Sequence, residues 1–341
     1  MAPGLPAYIA RRLLLLGPVI LLIVTITFAM SYAIPGNPVY ALTGQDATGE
    51  TLQYLIRQYG LDQPVYVQFF AYLGRLIRGD LGWSLFTKRP VWVDLTQFFP
   101  ATLELAGLAM VVTLALGIPL GVLSALRRDS PVDHGARIFA LGGITVPVFW
   151  LGLLAQLLFY GKLGILPAGG QLSETIQVLT PVPAVTHVML VDAALSGNWA
   201  GFRDALVHLI LPVAVLSYAG VAHVTRITRA SVLEVLHEHY VRTARAMGIQ
   251  HRRIIWRHVL KNALIPILTT IGLAFGNALR GSFLVESIFD WPGMGRYAIL
   301  AILRLDYMAI IGVSIVATVA YVLVNLVVDL LYVAADPRIK V

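Results

Sequence analysis

The sequence predicts an all-α integral membrane protein with about six transmembrane helices. Three observations lead to this prediction: the composition, the recurrence of long apolar runs, and the distribution of basic residues. Of the 341 residues, 58% are hydrophobic and 13% are charged, and the mean hydropathy is +0.78. A soluble domain carries about 25% charged residues. The charged residues are therefore too few to cover a water-facing surface, and lipid is the solvent that this composition fits.

Long apolar runs recur along the whole chain. A transmembrane helix needs about 20 predominantly apolar residues, and six segments meet or nearly meet this length. Several contain Pro or Gly, which a helix bundle in lipid tolerates because neighbouring helices satisfy the freed backbone groups. The first run follows Arg11 and Arg12 as in a signal peptide, but no small-residue cleavage site follows it, so we expect a retained span. The predicted spans are 13–33, 103–126, 138–160, 206–224, 263–285 and 308–334.

Basic residues predict the orientation. With the amino terminus in the cytoplasm, fifteen of the 25 Lys and Arg residues lie on the cytoplasmic side, nine lie outside, and Arg280 falls within a span. Five of the nine lie in one long loop, and long loops cross a membrane largely regardless of charge. We therefore expect a multi-pass protein of the cytoplasmic (inner) membrane with both termini in the cytoplasm. The net charge of +7 follows from this bias, and no basic domain outside it indicates nucleic-acid binding.

The predicted spans divide the chain into three regions. Residues 1–34 hold the amino terminus and the first span, residues 35–100 form an extracytoplasmic cap, and residues 101–341 form the core with spans two to six. Turn signals such as PGNP at 35–38 support the cap. A second outer segment, 161–204, is too broken by proline to span, and we expect it to pack at the surface or at the membrane interface.

Residues 225–262 form a polar, basic and helix-forming segment on the predicted cytoplasmic side. Arginines alternate with apolar residues there, and we expect two short helices with a break at Gly248. Their apolar faces would insert into a groove on another protein. A basic helix that lies on anionic lipid has the same pattern, and the physical pattern alone does not decide between the two.

Several patterns of catalysis and metal binding are missing from the sequence. The chain has no cysteine, which removes disulfides, thiolate metal sites and Cys nucleophiles. It has no G-x-x-x-x-G-K-[ST] run, so we do not expect an ATP site of its own. His237 and Glu238 begin an H-E-x-x-H pattern, but Val241 stands where the second zinc ligand belongs. We expect no catalytic residue, no metal site and no cofactor in this chain.

One string within the basic segment is more specific. Residues 240–248 read YVRTARAMG, and NALIP follows at 262–266. This pattern resembles the cytoplasmic loop of ABC importer permeases, in which Glu-Ala-Ala, three residues and Gly precede a hydrophobic-Pro pair. More narrowly, the chain resembles the first membrane subunit of the dipeptide/oligopeptide/nickel transporter family along nearly its whole length. The order and spacing of further motifs carry this resemblance: ARRL at 10–13, IPGNP at 34–38, GDLGWS at 79–84, GIPLG at 117–121, PVFWLG at 147–152, LPAGG at 166–170, TRAS at 228–231, FDWPGMG at 289–295, DLLY at 329–332 and DPR at 336–338.

The resemblance implies that the inner loop contains a coupling helix, which docks into a groove on an ATP-binding subunit. Gly248 would supply the turn, because Gly enters left-handed backbone conformations at little cost. The acidic first position of the family pattern is not kept, since Arg242 and Thr243 stand where Glu-Ala would, with Ala244 third. The residues implied in coupling are Arg242, Thr243, Ala244, Arg245, Ala246, Met247, Gly248, Arg252, Arg253 and Ile254.

A second departure lies in the fifth span, where the family pattern is Gly-rich and apolar. This chain has Arg280 there, and a charged residue within a span suggests a function by default. A functional hypothesis is that Arg280 faces the translocation pathway and pairs with Glu286 or with an anionic group of the substrate. Asn277 belongs to the same candidate set. The alternatives are a structural ion pair with a partner subunit, or a side chain that reaches the outer interface.

The resemblance also implies a mechanism and partners. The chain would supply half of a pathway for di- or oligopeptides that works by alternating access. Its partners would be a second homologous permease, two cytoplasmic ATP-binding subunits that bind ATP and Mg²⁺, an extracytoplasmic substrate-binding protein and the lipid bilayer. Alternatives are the import of nickel or another small solute by the same family, and an ion-coupled secondary transporter, which would need coupling carboxylates or broken helices at mid-membrane.

Overall fold

The computed structural model of the chain describes residues 5–33 and 62–335, together with Gln53 and Arg57. Much of the predicted cap, and the motifs IPGNP and DPR, lie outside these residues. The described part is helical. Its helices are α1 (Leu5–Ala33), α2 (Val65–Ile77), α3 (Val91–Leu126), α4 (Pro131–Thr145), α5 (Val148–Ala155), α6 (Glu174–Leu179), α7 (Met189–Leu195), α8 (Trp199–Leu236), α9 (His239–Ala246), α10 (His251–Arg253), α11 (Leu260–Ile288), α12 (Met294–Leu303) and α13 (Tyr307–Ala335). A π-helical segment, Gln156–Lys162, continues α5, and another, Ile254–Val259, joins α10 to α11.

Four helices are long and apolar enough to cross a membrane, within Val91–Leu126, Trp199–Leu236, Pro266–Ile288 and Tyr307–Leu330. These confirm an all-α membrane protein. In α1 the described apolar stretch, Leu14–Met30, is shorter.

The predicted third span, 138–160, is not a straight helix. It divides into α4 and α5 with its π-helical continuation, and the two parts meet at 106°. Pro147 explains the break, because proline disfavours the helical conformation of the residue before it. Val146 is accordingly extended, with φ −81° and ψ 123°. The bent pair is a fifth membrane segment if both parts count as one span.

Two boundaries differ from the sequence prediction. Helix α3 begins at Val91, so residues 91–100 of the predicted cap are helical and continuous with the second span. Helix α8 continues to Leu236, so residues 225–236 of the predicted inner loop belong to the helix of the fourth span. Both helices exceed the thickness of the hydrocarbon core, since 36 residues at 1.5 Å each reach about 54 Å.

Helices α3 and α8 run parallel in close contact, and two glycines of α3 make this possible. A Cβ atom on Gly121 would lie 2.6 Å from the Cβ of Thr228 and 2.7 Å from the carbonyl oxygen of Thr225. A Cβ on Gly117 would lie 2.9 Å from Val224. Small residues at such positions let backbones approach, and van der Waals packing then holds the helices together in lipid.

The two ends of the bundle have separate cores, which we name by one residue of each. At the Trp291 end, Trp291 and Phe289 are buried against Leu105 and Leu209. At the Gly248 end, a second core packs α9 and the neighbouring π-helical segment against α3 and α8; its buried members are Val122, Ala125, Val232, Val241, Ala244, Ile254, Ile255, Val259, Ala263 and Ile267.

Helix α1 packs along α13, and their polar contact marks the Gly248 end. Arg12 and Asp329 form an ion pair of 2.7 Å between Nη2 and Oδ2. Since α13 runs antiparallel to α11, with Val328 beside Gly272 and Tyr321 beside Gly276, Leu5 and Ala335 both lie toward the Gly248 end.

The segment between α5 and α8 is held by buried carboxylates rather than by apolar packing alone. Burial opposes the ionisation of Asp192, but hydrogen bonds from Thr186 and from the N–H groups of Val185 and His187 outweigh it and lower the pKa of Asp192. Glu104 of α3 accepts hydrogen bonds from the N–H groups of Met189 (3.2 Å) and Leu190 (2.8 Å) at the start of α7. The segment between α5 and α8 therefore has a fixed path on the bundle.

The contact between α3 and α8 can be tested at Gly121. Gly121→Ala forces a methyl group into backbone and side-chain atoms, and overpacking of this kind costs about 1–3 kcal/mol. We expect a lower melting temperature of the purified protein in mild detergent. Gly107→Ala in the same helix is the matched control, because a Cβ there meets nothing within 4 Å. A Gly121→Ala protein as stable as the Gly107→Ala protein would contradict the close packing.

Candidate functional site

The break that the sequence predicts at Gly248 is present. Helix α9 ends at Ala246, and Gly248 has a φ of +72°. The N–H of Gly248 donates to the carbonyl of Arg245 (3.0 Å), and the N–H of Ile249 donates to that of Ala244 (3.2 Å). A Cβ on Gly248 would meet nothing within 4 Å, so the requirement for Gly is conformational. The second helix is longer than predicted, because α10 continues through its π-helical segment into the membrane helix α11.

The inner face of α9 packs on the chain's own core. Val241 and Ala244 are buried against Ile254, Ile255 and Val259. The expectation that these apolar faces insert into another protein is therefore wrong for Ala244 and Ile254, which the chain buries itself. Burying this face fixes the orientation of α9 relative to α11.

The outer face, which is the solvent-facing side of α9 and of the helical segment after it, is exposed and combines apolar and basic side chains. Met247 is 74% exposed and Trp256 is 61% exposed. We call this face the Gly248 surface; its members are Tyr240, Arg242, Thr243, Arg245, Ala246, Met247, Gly248, Arg252, Arg253 and Trp256. It includes eight of the ten residues predicted for coupling. Large exposed apolar side chains among polar neighbours are typical of a protein interaction site.

Sequence reasoning missed Tyr240 and Trp256. The Tyr240 hydroxyl accepts a hydrogen bond from the Asn262 amide (2.7 Å), which ties α9 to the start of α11. A helical signal for Trp256 exists, because Ile255 and Val259 lie four residues apart on the buried face and Trp256 is turned away from it. In the described residues, the surface arginines Arg242, Arg245, Arg252 and Arg253 form no ion pair, and the surface is strongly basic.

Helix α11 carries an exposed stripe toward its centre. Its members, at a spacing of one helical turn, are Leu273, Asn277, Arg280 and Leu284. The Arg280 guanidinium donates to the Asn277 side-chain oxygen (2.8 Å) and, more weakly, to the Gly276 carbonyl (3.4 Å). The structure thus brings Asn277 and Arg280 together on one face.

Glu286 does not pair with Arg280, and this part of the prediction is wrong. Its side chain is 0% exposed. It accepts hydrogen bonds from the Thr102 hydroxyl (2.8 Å) and from the N–H groups of Gly295 (2.6 Å) and Arg296 (3.1 Å). Glu286 therefore ties α11 to α3 and to the beginning of α12, at the Trp291 end of the bundle. It lies inside the protein and not on the exposed stripe.

A second buried carboxylate joins three helices near the Gly248 surface. Asp133 at the start of α4 accepts two hydrogen bonds from Arg229 of α8 (2.6 and 2.8 Å) and one from the Ser124 hydroxyl of α3 (2.6 Å). We call these three residues the Asp133 clamp. A fork-to-fork pair of this geometry adds specificity as well as energy. The clamp fixes the end of α8 from which α9 follows. No spacing in the sequence pairs Asp133 with Arg229, because they lie 96 positions apart.

The chain is similar to known membrane components of transport systems. Residues 117–341 match the family described as binding-protein-dependent transport system inner membrane component. Residues 6–106 match the family of the N-terminal part of such membrane components. The chain belongs to this family.

Three relatives show how far the likeness extends. The probable D,D-dipeptide transport system permease protein DdpB of Escherichia coli is 49% identical over 92% of both chains. The di/tripeptide transport system permease protein DppB of Pseudomonas aeruginosa is 44% identical over 98% of both chains. The oligopeptide transport system permease protein AppB of Bacillus subtilis is 35% identical over 98% of this chain and 99% of that protein. The family is one of transporter membrane components, which confirms the sequence-based assignment of the chain as an importer permease.

The structural role of Glu286 can be tested by Glu286→Ala. The change leaves the Gly295 and Arg296 N–H groups buried without an acceptor, which costs about 1–3 kcal/mol for each group. We expect a clearly lower melting temperature and less protein in the membrane. Ser287→Ala is the control, since the Ser287 hydroxyl bonds only within its own helix, to the Phe283 carbonyl. Normal stability of Glu286→Ala with a selective loss of transport would instead place Glu286 on the pathway.

Proposed function

We propose that this chain is one of two permease subunits of an ATP-driven importer of short peptides. Family membership supports the importer, and the three relatives, which are permeases of peptide transport systems, support the substrate class. The observation that carries the proposal is the Gly248 surface. It presents Met247, Trp256 and four arginines on α9 and the helical segment that follows it, and the other face of both packs on the chain's own core.

The Gly248 surface is suited to receive force from a partner. Helix α9 packs on the segment Ile254–Val259, and this segment continues without interruption into α11. A displacement of the surface is therefore passed to α11, which carries the exposed stripe with Arg280. An ATP-binding subunit that docks here moves the stripe by moving one connected body.

Basic residues support the orientation. The four arginines of the Gly248 surface lie at the bundle end toward which Leu5 and Ala335 also point. Excess Lys and Arg mark cytoplasmic loops. This end would face the cytoplasm, where two ATP-binding subunits bind ATP and Mg²⁺, and both chain termini would be cytoplasmic. The Trp291 end would then receive the extracytoplasmic substrate-binding protein.

The exposed stripe of α11 supplies a candidate pathway wall. An arginine in a span is stable only where it meets water, a partner or a counter-charge. Within this chain the described contacts of the Arg280 guanidinium are neutral oxygens of Asn277 and Gly276. A peptide carries a terminal carboxylate, so Arg280 would attract it during passage. The second permease would complete the pathway, and a difference in the affinity of ATP for the two states would drive the change between them.

The substrate class is tested by uptake. The complex, purified with its partners and reconstituted into liposomes, should accumulate labelled dipeptides only with ATP and the binding protein present. Uptake that needs an ion gradient and no ATP would support a secondary transporter. Nickel uptake that unlabelled peptides fail to inhibit would show that the substrate is the metal and not a peptide, within the same family.

The Gly248 surface is tested by Met247→Asp. The substitution replaces an apolar side chain of the docking surface by a charge. Apolar side chains at the centre of an interface contribute about 2 kcal/mol or more to binding. The affinity of the complex for its ATP-binding subunits should therefore fall about thirtyfold. Co-purification and peptide-stimulated ATPase activity measure this. Val178→Asp is the matched control, since Val178 is 78% exposed and lies outside this surface. Equal assembly of the two variants would contradict the proposed docking site.

The pathway role is tested by Arg280→Gln. Loss of a charge-assisted contact with a substrate carboxylate should raise the KM of peptide uptake tenfold or more, because such bonds contribute about 1.5–3 kcal/mol. Assembly and melting temperature should stay unchanged. Leu303→Ala, at a 74% exposed position of α12 outside the stripe, is the control. Normal uptake by Arg280→Gln in an intact complex would remove Arg280 from the pathway.

A further inference from the structure

A cavity of about 290 Å³ lies between α4 and α8, beside the end of α3. The part of its wall that belongs to α4 is made by Ala136, Arg137, Ala140, Leu141 and Ile144, which share one face of that helix. None of the residues of the Gly248 surface and none of the α11 stripe lines it. It is therefore separate from that surface and that stripe, and it adjoins the Asp133 clamp through Ser124 and Arg229.

The deep end of the cavity is apolar. Going from the start of α4 toward Thr145, the wall changes from Arg137 to Ala140, Leu141 and Ile144. Beyond it the two helices close on each other, since a Cβ on Gly143 would lie 2.5 Å from that of Ala222. Leu141 and Ile144 are exposed, so the cavity is open along this side of the helix pair, and both residues fall within the predicted third span, 138–160.

The rim of the cavity is basic. Arg137, Arg226 and Arg229 line it, and Arg229 is neutralised by Asp133 in the clamp. In the described part of the chain, Arg137 and Arg226 form no ion pair with an acidic side chain, and the one polar contact of Arg226 is to the His223 ring (3.4 Å). Two cations without a counter-charge thus stand at the mouth of an apolar slot.

We propose that this cavity binds an anionic phospholipid of the membrane. The phosphate group lies between Arg137 and Arg226, and the first part of an acyl chain follows Ala140, Leu141 and Ile144. Basic pockets between transmembrane helices are suited to anionic lipid headgroups. The order of the wall, basic at the rim and apolar toward the membrane interior, matches the order of headgroup and chain in a lipid.

The volume and the wall chemistry favour a lipid over water or a free anion. Water takes about 30 Å³ per molecule in the liquid, so about ten molecules would fill the space, yet a buried water needs two to four polar partners. The hydroxyl groups of Ser124 and Thr225 already donate to Asp133 and to the Gly117 carbonyl, and the alanine, leucine and isoleucine side chains offer no polar partner. A free phosphate would satisfy the arginines and leave the apolar part of the cavity unfilled.

Lipid in this position would act on the same helix that leads to the Gly248 surface. It would fill the gap between α4 and α8 directly beside the Asp133 clamp. The expected effect is a firmer contact between these two helices, independent of which solute the importer carries.

The proposal is tested by photolabelling of the intact importer complex in nanodiscs. Phosphatidylglycerol and phosphatidylcholine, each with a photoactivatable group on the acyl chain, are compared at equal amounts. We expect phosphatidylglycerol to label the peptide that contains Leu141 and Ile144 in clear excess. Each of Arg137→Gln and Arg226→Gln should reduce this excess about fivefold, since a basic side chain at an anionic membrane surface contributes about 1 kcal/mol.

Two further variants separate the lipid site from general charge effects. Arg127→Gln removes an exposed cation at the end of α3 that does not line the cavity, and it should leave the excess unchanged. Ile144→Trp keeps both arginines but fills the deep end, and it should abolish labelling by either lipid. Melting curves of all variants establish that the complex is intact.

Four results would overturn the proposal. Equal labelling by both lipids, or an excess that survives the double variant Arg137→Gln/Arg226→Gln, would show that the arginines select no headgroup. Competition by inorganic phosphate would point to an anion site without a lipid chain. A photoreactive residue placed at Ile144 that links to the second permease and not to lipid would show that a protein partner fills the cavity.

Discussion

The close approach of α8 to its neighbours is the constraint on which the rest of this structure depends. Lipid is as apolar as a leucine side chain, so helices in a membrane gain little from hydrophobic burial and associate through tight packing and polar contacts. Gly121 and Gly117 bring α3 against α8, and Gly143 brings α4 against it. Because α8 is fixed in this way, the helix that follows it has a defined place at the end of the bundle.

Buried polar groups complete what close packing begins. Glu286 joins α11 to α3 and α12, and the Asp133 clamp joins α3, α4 and α8 at the opposite end. A buried carboxylate is costly unless it is hydrogen-bonded or paired, and each of these has several donors. Such groups make the relative position of helices specific where apolar contacts alone would permit sliding.

The Gly248 surface shows how a short loop becomes a rigid contact. Its apolar inner face is not left for a partner, because Val241 and Ile255 bury it within the chain. The outer face, where that core holds Met247 and Trp256 in place, is the face that an ATP-binding subunit would meet under the proposed function. A pre-ordered surface loses less conformational entropy on docking than a flexible loop would, and it passes movement to α11 through a continuous helix.

The sequence by itself determined that the chain lies in lipid, that it is helical, which family it belongs to and that a helix breaks at Gly248. Composition, the length of apolar runs and a glycine turn are local properties, so they can be read without the fold. It did not determine the angle between α4 and α5 at Pro147, because that angle depends on how both helices pack against the rest of the bundle. Nor did it determine the pairing of Asp133 with Arg229, which are 96 positions apart. It also assigned Glu286 to the pathway, since a carboxylate in a span has the same pattern whether it faces a cavity or a neighbouring helix. Tertiary structure decides such questions because a side chain's role in lipid depends on which donors reach it, and those donors come from distant parts of the chain.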